Sequence, residues 1–381
     1  MRIVMIGAGA CGARAGRQLL SPGPERPPER GVGPERPPER GVGPERPSER
    51  GVGPERPSER GVGPPDELVI VDVERERAEA VATSLGEPAR VASTAPVLAA
   101  GDVLLLTAPG NHRGLAEGAV DRGAHVVATT DVVAEVRSLC DLDAAARAAG
   151  VHVAVGAGFS PGLSCVLVAL GARGFEQVSE IHVAKVGTGG PSCARQHHRA
   201  LAGSAFDWRA GEWECRSGGS GRELCWFPEP VRAIDCYRAA LPEALLLAPA
   251  FPGVDRVTAR MGANRRDRLT ARLPMMRRPH PEGELGAIRV EIRGVQGSLR
   301  HDRVLGAVDR PAVAAGAVAA LACQWAVDGR LSRTGAAGLA SLVEPGPFLA
   351  ALAERGVKVA VFEGGQHRSE ESPLRGGAGV F

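Results

Sequence analysis

The chain carries almost no net charge: 46 Lys plus Arg stand against 44 Asp plus Glu, a formal balance of +2 at pH 7. That excludes recognition of a nucleic acid or an anionic membrane by bulk charge. It also lacks any C-x-x-C pair. Its eight cysteines, at 11, 140, 165, 193, 215, 225, 236 and 323, are scattered, which excludes a dense disulfide framework and predicts reduced thiols. No long, strongly apolar run is present: the longest apolar stretch, 311–327, is built mainly of Ala and Gly. It falls short of the ~20 strongly apolar residues that span a bilayer. With no signal-peptide layout at the start, a cytoplasmic protein is expected, with neither nucleic acid nor membrane as partner. Lysine is scarce as well, standing only at Lys185 and Lys358, so the other 44 basic residues are arginine. In so arginine-rich a chain a single arginine carries little functional information.

What is present is a 44% hydrophobic chain of 381 residues, enough for a sizeable core and, on length, about two domains. Residues 23–62 are four tandem copies of a ten-residue unit, GPERPPERGV twice and GPERPSERGV twice. Each unit is electrically neutral, has one Val as its apolar side chain, and is rich in prolines that block both helix and ladder. A disordered or polyproline-like arm at 23–64, interrupting the first domain, is the expectation.

Around that insert, residues 1–155 alternate short apolar runs with helical stretches, the pattern of a parallel sheet with crossover helices. Strands are expected at 2–6, 67–72, 89–92, 102–107, 124–129 and 151–155, and helices at 13–20, 75–85, 112–122 and 132–149. The fold class is α/β: a Rossmann doubly wound parallel sheet, with a second α+β domain over 156–310 and C-terminal helices and a strand over 311–363 packing back on the first domain. Residues 364–381 are expected to fray.

The strongest chemical signal is R-I-V-M-I-G-A-G-A-C-G at 2–12, a strand running into G-x-G-x-x-G at Gly7, Gly9 and Gly12 and then into a helix. In that pattern the first glycine makes the turn, the second lets backbone approach a pyrophosphate, and the third packs helix on strand. The acidic residue due about 20 positions later is Asp72, once the forty repeat residues are set aside. Gly7, Gly9, Ala10, Cys11, Gly12 and Asp72 are therefore candidate cofactor residues. Asp72 favours NAD through the ribose hydroxyls, whereas Arg75 or Arg77 close by suits the 2′-phosphate of NADP, so both cofactors stay open. Thr107, Ala108 and Pro109 end the fourth strand, over which the nicotinamide half would pass. The fifth strand ends in Ala128-Thr129-Thr130-Asp131, where sugar-type oxidoreductases would show a catalytic lysine; none stands there.

The sixth strand runs into V-G-A-G-F-S-P-G-L at 155–163, and with the G-A-G turn at 7–12, Thr130-Asp131 and G-T-G-G-P at 187–191 the chain resembles the saccharopine dehydrogenase and saccharopine reductase family. Two positions depart from that family: Ser160 stands in place of an aspartate, and no tyrosine follows Thr130. The resemblance implies an NAD(P)-dependent oxidoreductase moving hydride at a carbon bonded to nitrogen in an amino-acid-like small molecule, with saccharopine itself left open as substrate. It also allows a homodimer through the second domain. Such chemistry needs a group to move a proton. Lys185, as a general base of lowered pKa, and His197 are the candidates, within A-K-V-G-T-G-G-P-S-C-A-R-Q-H-H-R at 184–199. Ser192 is placed as a helix N-cap, which sets Cys193 and His197 at i and i+4 on one face. A zinc pair there with Cys215 or Cys225 matches no standard spacing, and no metal is expected. Ser160, Arg195, Arg199 and Arg222 are the substrate-binding candidates, the arginines as forks for a carboxylate. Trp208, Trp213 and Trp226 either wall an apolar pocket or pack a core. The reading from another class is a non-catalytic NAD(P) sensor or scaffold whose repeat arm recruits a partner.

Overall fold

The computed structural model describes residues 1–23, 63–275 and 278–362. The repeat insert, apart from its first residue and its 63–64 boundary, and the tail at 364–381 lie outside the described residues.

The first half is built as β1 (Arg2–Ile6), α1 (Ala10–Leu20), β2 (Glu67–Val71), α2 (Arg75–Leu85), β3 (Ala89–Val91), β4 (Val103–Leu106), α3 (Arg113–Val120), β5 (His125–Ala128), α4 (Val133–Cys140), α5 (Asp143–Ala148), β6 (His152–Val155) and α6 (Leu163–Gly171). There follow β7 (Gln177–Val186), α7 (Pro191–Ala200), β8 (Ser204–Arg209), β9 (Glu212–Ser217), β10 (Glu223–Trp226), β11 (Ala233–Tyr237), α8 (Glu243–Leu247), β12 (Arg256–Gly262), α9 (Arg265–Thr270), β13 (Gly286–Gln296) and β14 (Leu299–Asp309). The last elements are α10 (Pro311–Val327), β15 (Gly335–Ala337), α11 (Leu339–Leu342), α12 (Pro345–Glu354) and β16 (Val359–Phe362).

The first sheet has seven strands in the order β15-β6-β5-β4-β1-β2-β3, and every pair in it is parallel. Helices cover both faces, so the strands read as unbroken apolar runs; Val103, Leu104, Leu105 and Leu106 are all buried. The strand order reverses between β1 and β4, the position at which a doubly wound sheet opens a crevice at its carboxyl edge. Six strands were expected, and the seventh, β15, comes from the C-terminal segment. Its Gly-Ala-Ala has no strand composition of its own. It is held by pairing with His152–Ala154 and by Asp143, whose Oδ1 accepts from the Ala336 amide at 2.9 Å and from Arg333 at 3.1 Å. The helix expected over 132–149 is two helices, broken at Asp141–Leu142, where Leu142 turns into the core.

The second sheet runs β10-β11-β12-β7-β13-β14-β16, with β8 paired to β12 and to β9. β12 and β7 are parallel and the other pairs antiparallel, giving the α+β region. α6 is buried along Leu163–Val168 because it packs on β13 and β14 as well as on α11 and α12. The apolar stretch at 311–327 is the buried helix α10, which returns to the first sheet and lies on α1. The two helices approach so closely that a Cβ on Gly316 would sit 2.6 Å from Arg14 Cβ. Trp325 and Phe348 meet edge to face at 4.9 Å and tie α10 to α12. Among the described residues no helix is long and apolar enough to cross a membrane.

Candidate active site

The chain leaves β1 through Gly7, which glycine alone satisfies: its φ is +112° and a Cβ would stand 2.5 Å from the Ala108 nitrogen. Gly12 is fixed by space, since a Cβ there would lie 2.0 Å from the Gly7 carbonyl oxygen. At Gly9 a Cβ would meet nothing within 4 Å among the described residues, which leave the surface above it open. Gly9 is also the N-cap of α1, and among the described residues no side chain caps the helix, which leaves first-turn amides at Ala10 and Cys11 for an anion. Beyond β2, Asp72 Oδ2 accepts from the Ala8 amide at 2.6 Å and Oδ1 from the Glu74 amide at 2.9 Å. Each oxygen keeps a second lone pair for a ribose hydroxyl. An open glycine, an uncapped helix end and a fixed carboxylate fit the pyrophosphate and ribose of a dinucleotide.

Arg75 does not join this set. Its exposed guanidinium pairs with Glu79 at 2.7 Å, as i,i+4 spacing on a helix favours, and it is Arg77 that stands 3.6 Å from Asp72 Oδ1.

Where β4, β5 and β6 end, a cavity of about 230 Å³ opens between the parallel sheet and α7. Cys11, Thr107, Ala108 and Pro109 form its wall on the glycine-turn side. Thr107 Oγ1 donates to the Gly7 carbonyl at 2.8 Å and so ties that wall to the turn. Asp131, Ser160, Lys185, Cys193 and His197 form the opposite wall, and Arg195 and Arg199 also line the cavity. These residues come from four segments: the β5 end, the loop after β6, the end of β7 and α7.

The opposite wall is a compact charge cluster. Lys185 Nζ donates to the Ser160 carbonyl at 2.8 Å and stands 3.5 Å from Asp131 Oδ2. His197 Nε2 lies 2.9 Å from that same oxygen and 3.5 Å from Cys193 Sγ. Behind Ser160, whose Oγ donates to Glu243 Oε1 at 2.6 Å, Glu243 is wholly buried. Burial alone would raise the Asp131 carboxyl, but Lys185 and His197 overcome it and hold its pKa near 2. Burial would lower His197; the neighbouring Cys193 and the bond to Asp131 outweigh that, against the charge of Lys185, and place it at about 9. Burial raises the Cys193 thiol, yet His197 and a bond from the Gly189 backbone bring it below its ordinary value.

Lys185 corrects the expectation of a lowered pKa. Burial does push its pKa down, but Glu243 and Asp131 push harder the other way, so the ammonium is held above its usual range. Such a lysine is a fixed positive charge at neutral pH rather than a base. Ser192 is not the N-cap of α7; Gly190 is, with Pro191 in the first turn, although Cys193 and His197 do share a face. Arg222 lies away from the cavity, exposed and paired with Asp235 at 2.9 Å. Cys215 is exposed on β9 and Cys225 buried on β10, so neither completes a metal set with Cys193. Trp208 and Trp213 meet edge to face at 4.9 Å over a separate hollow, and Trp226 is exposed on a sheet edge.

Two residues of the cluster were not among the expected site residues. Asp131 takes the place next to Thr130 where the resembling family has tyrosine, and it gathers both cations. Glu243 brings a carboxylate to Ser160, the position where that family has aspartate. Its one sequence signal is a charge set into the apolar run Leu241–Leu247.

No protein-family model and no curated protein sequence matches the chain. Among solved structures, it is similar to apo saccharopine dehydrogenase (L-Glu forming) from Saccharomyces cerevisiae, at 13% identity and a TM-score of 0.60, covering 95% of this chain and 100% of that one. An amine dehydrogenase from Mycobacterium smegmatis is similar at 10% identity and a TM-score of 0.45, covering 90% of this chain and 96% of that one. The first likeness shows a shared fold: a Rossmann-type sheet with a second mixed-sheet region, as in saccharopine dehydrogenase.

Proposed function

We propose that this protein is an NAD(P)-dependent oxidoreductase acting at a carbon bonded to nitrogen in an amino-acid-like substrate. The observation that carries the reading is the pairing of the cavity's two walls: the glycine turn with Thr107–Pro109 on one, Asp131, Lys185 and His197 on the other. Gly9, the first amides of α1 and Asp72 would hold the dinucleotide, with Thr107, Ala108 and Pro109 beneath its nicotinamide half. When bound, the dinucleotide supplies or accepts the hydride.

The chain's own residues then manage charge and protons. With a pKa of about 9, His197 is an imidazolium at neutral pH, and its Nε2 proton, held between Asp131 Oδ2 and Cys193 Sγ at rest, is the one that moves to the nitrogen or oxygen that gains electrons. Asp131, near 2, stays ionised, orients that ring and takes no proton itself. Lys185 keeps the neighbourhood positive where negative charge develops. Arg195 and Arg199 are the forks for a substrate carboxylate.

The test is titration with NADH and NADPH, followed by nicotinamide fluorescence and by thermal stabilisation. Binding of one of them with a raised melting temperature is expected, and binding of neither removes the reading. With a reducible imine of an amino acid in hand, the reduction rate should fall as pH rises through about 9, because His197 must be protonated to donate. His197→Gln should erase that limb, and an unchanged profile would take the proton donor away from His197.

A further inference from the structure

We propose that Cys193 is a covalent nucleophile that captures an aldehyde entering this cavity as a thiohemiacetal. The proposal extends the function above by naming a carbonyl compound as the cavity's second ligand class. Two thiols face the cavity, Cys11 and Cys193, and their surroundings differ. Cys11 is pushed up to about 12, mainly by burial, which disfavours its thiolate at neutral pH. Cys193 sits in the first turn of a ten-residue helix and has the imidazole of His197 one turn along, at 3.5 Å. Asp131 Oδ2, 2.9 Å from the same ring nitrogen, favours the charged imidazolium; its own charge opposes a thiolate at Cys193, but the imidazolium beside the sulfur outweighs it and favours the thiolate.

The chemistry balances within these residues. The Cys193 sulfur pair forms a C–S bond to the carbonyl carbon, the C=O π pair moves to oxygen, and that oxygen takes the Nε2 proton of His197. No oxidant is consumed. The ammonium of Lys185, 3.5 Å from Asp131 Oδ2, lies on the same wall and stabilises the developing alkoxide. Asp131, Cys193 and His197 also bring donor atoms within 4.8 Å of one another, as a metal ion would require. The Lys185 ammonium beside Asp131 repels a dication there, and the nucleophile reading follows.

The capture step needs no dinucleotide, so its test is run on the full chain without one and can fail while the NADH titration succeeds. Iodoacetamide alkylation, mapped by peptide mass, should modify Cys193 at least tenfold faster than Cys11 near neutral pH. Succinic semialdehyde should slow that modification, whereas succinate, the same carboxylate class without an aldehyde, should not. With semialdehyde labelled at its carbonyl carbon, a tetrahedral carbon signal distinct from that of the free hydrate should appear in the wild-type protein and be missing in Cys193→Ser. Equal alkylation of the two thiols, equal protection by succinate, protection by zinc alone, or the labelled signal persisting in Cys193→Ser would each overturn the proposal.

Discussion

The cavity's two walls are built on opposite principles. The glycine-turn wall is made of backbone: Gly7 and Gly12 are fixed by atoms 2.5 Å and 2.0 Å from where a Cβ would be, and it presents amides and one pinned carboxylate. The facing wall is made of ionisable side chains from distant segments, each holding the next in its charge state. A backbone wall tolerates no added atoms where it is tight but depends little on charge. The charge wall depends on every member, because a buried ion left without its partner costs more than the pair contributes.

The largest expected effect therefore falls on the charge wall. Lys185→Met takes the ammonium away from Asp131 and from the fully buried Glu243, whose Oε2 already has no hydrogen-bond partner among the described residues. The loss should be about 3–5 kcal/mol of stability, read from the urea midpoint at constant slope. Adding Glu243→Gln should return part of it. If Lys185→Met alone costs under about 1 kcal/mol, the contrast between the walls is lost.

These two walls also differ in how far the sequence discloses them. The glycine turn is local: spacing within eleven residues names it, and subtracting the repeat brings Asp72 into place. The parallel sheet was legible for the same reason, through apolar runs alternating with helical stretches. β15 was not, because Gly335–Ala337 has no strand composition and is a strand only by pairing with β6. On the charge wall Lys185 and His197 were visible as residue types, but their protonation states were not. Those depend on Asp131 and Glu243, 54 and 58 residues away from Lys185 in the chain, which only the tertiary fold brings beside it. Arg75 and Arg222 were misplaced for a related reason: each has an acid at hand, Glu79 one turn along and Asp235 on the adjacent strand.

A substitution on the backbone wall sharpens the contrast at the next level of effect. Gly9→Val places its side chain in open space, so the melting temperature should be unchanged while the affinity for NADH or NADPH falls about 100-fold, or ~2.7 kcal/mol. Gly12→Val, driven into the Gly7 carbonyl, should lose binding and stability together. Unaltered cofactor binding in Gly9→Val would show that the open surface is not the pyrophosphate site.

The smallest effect lies at the other edge of the same sheet, where titratable groups are held neutral instead of charged. His125 and His152 begin β5 and β6 and stack with ring centres 5.1 Å apart. Burial first, and then the charge of His152, pushes His125 down to about 4; burial also lowers His152, against the bond to the Arg333 carbonyl. A histidine depressed in the folded state contributes stability that is complete above its unfolded pKa of about 6.5 and is lost as pH falls toward 4. The wild-type urea midpoint should therefore drop between pH 7 and pH 5, and His125→Asn, which keeps an acceptor for the His152 amide, should remove on the order of 1 kcal/mol of that drop after solvent screening. On the cavity edge the sign reverses: His197, raised to about 9, contributes below its unfolded pKa and loses its contribution as pH rises through 9. The sheet's amino edge is thus acid-sensitive while α7, across the cavity from its carboxyl edge, is alkali-sensitive, and parallel pH profiles for wild type and His125→Asn would abolish that distinction.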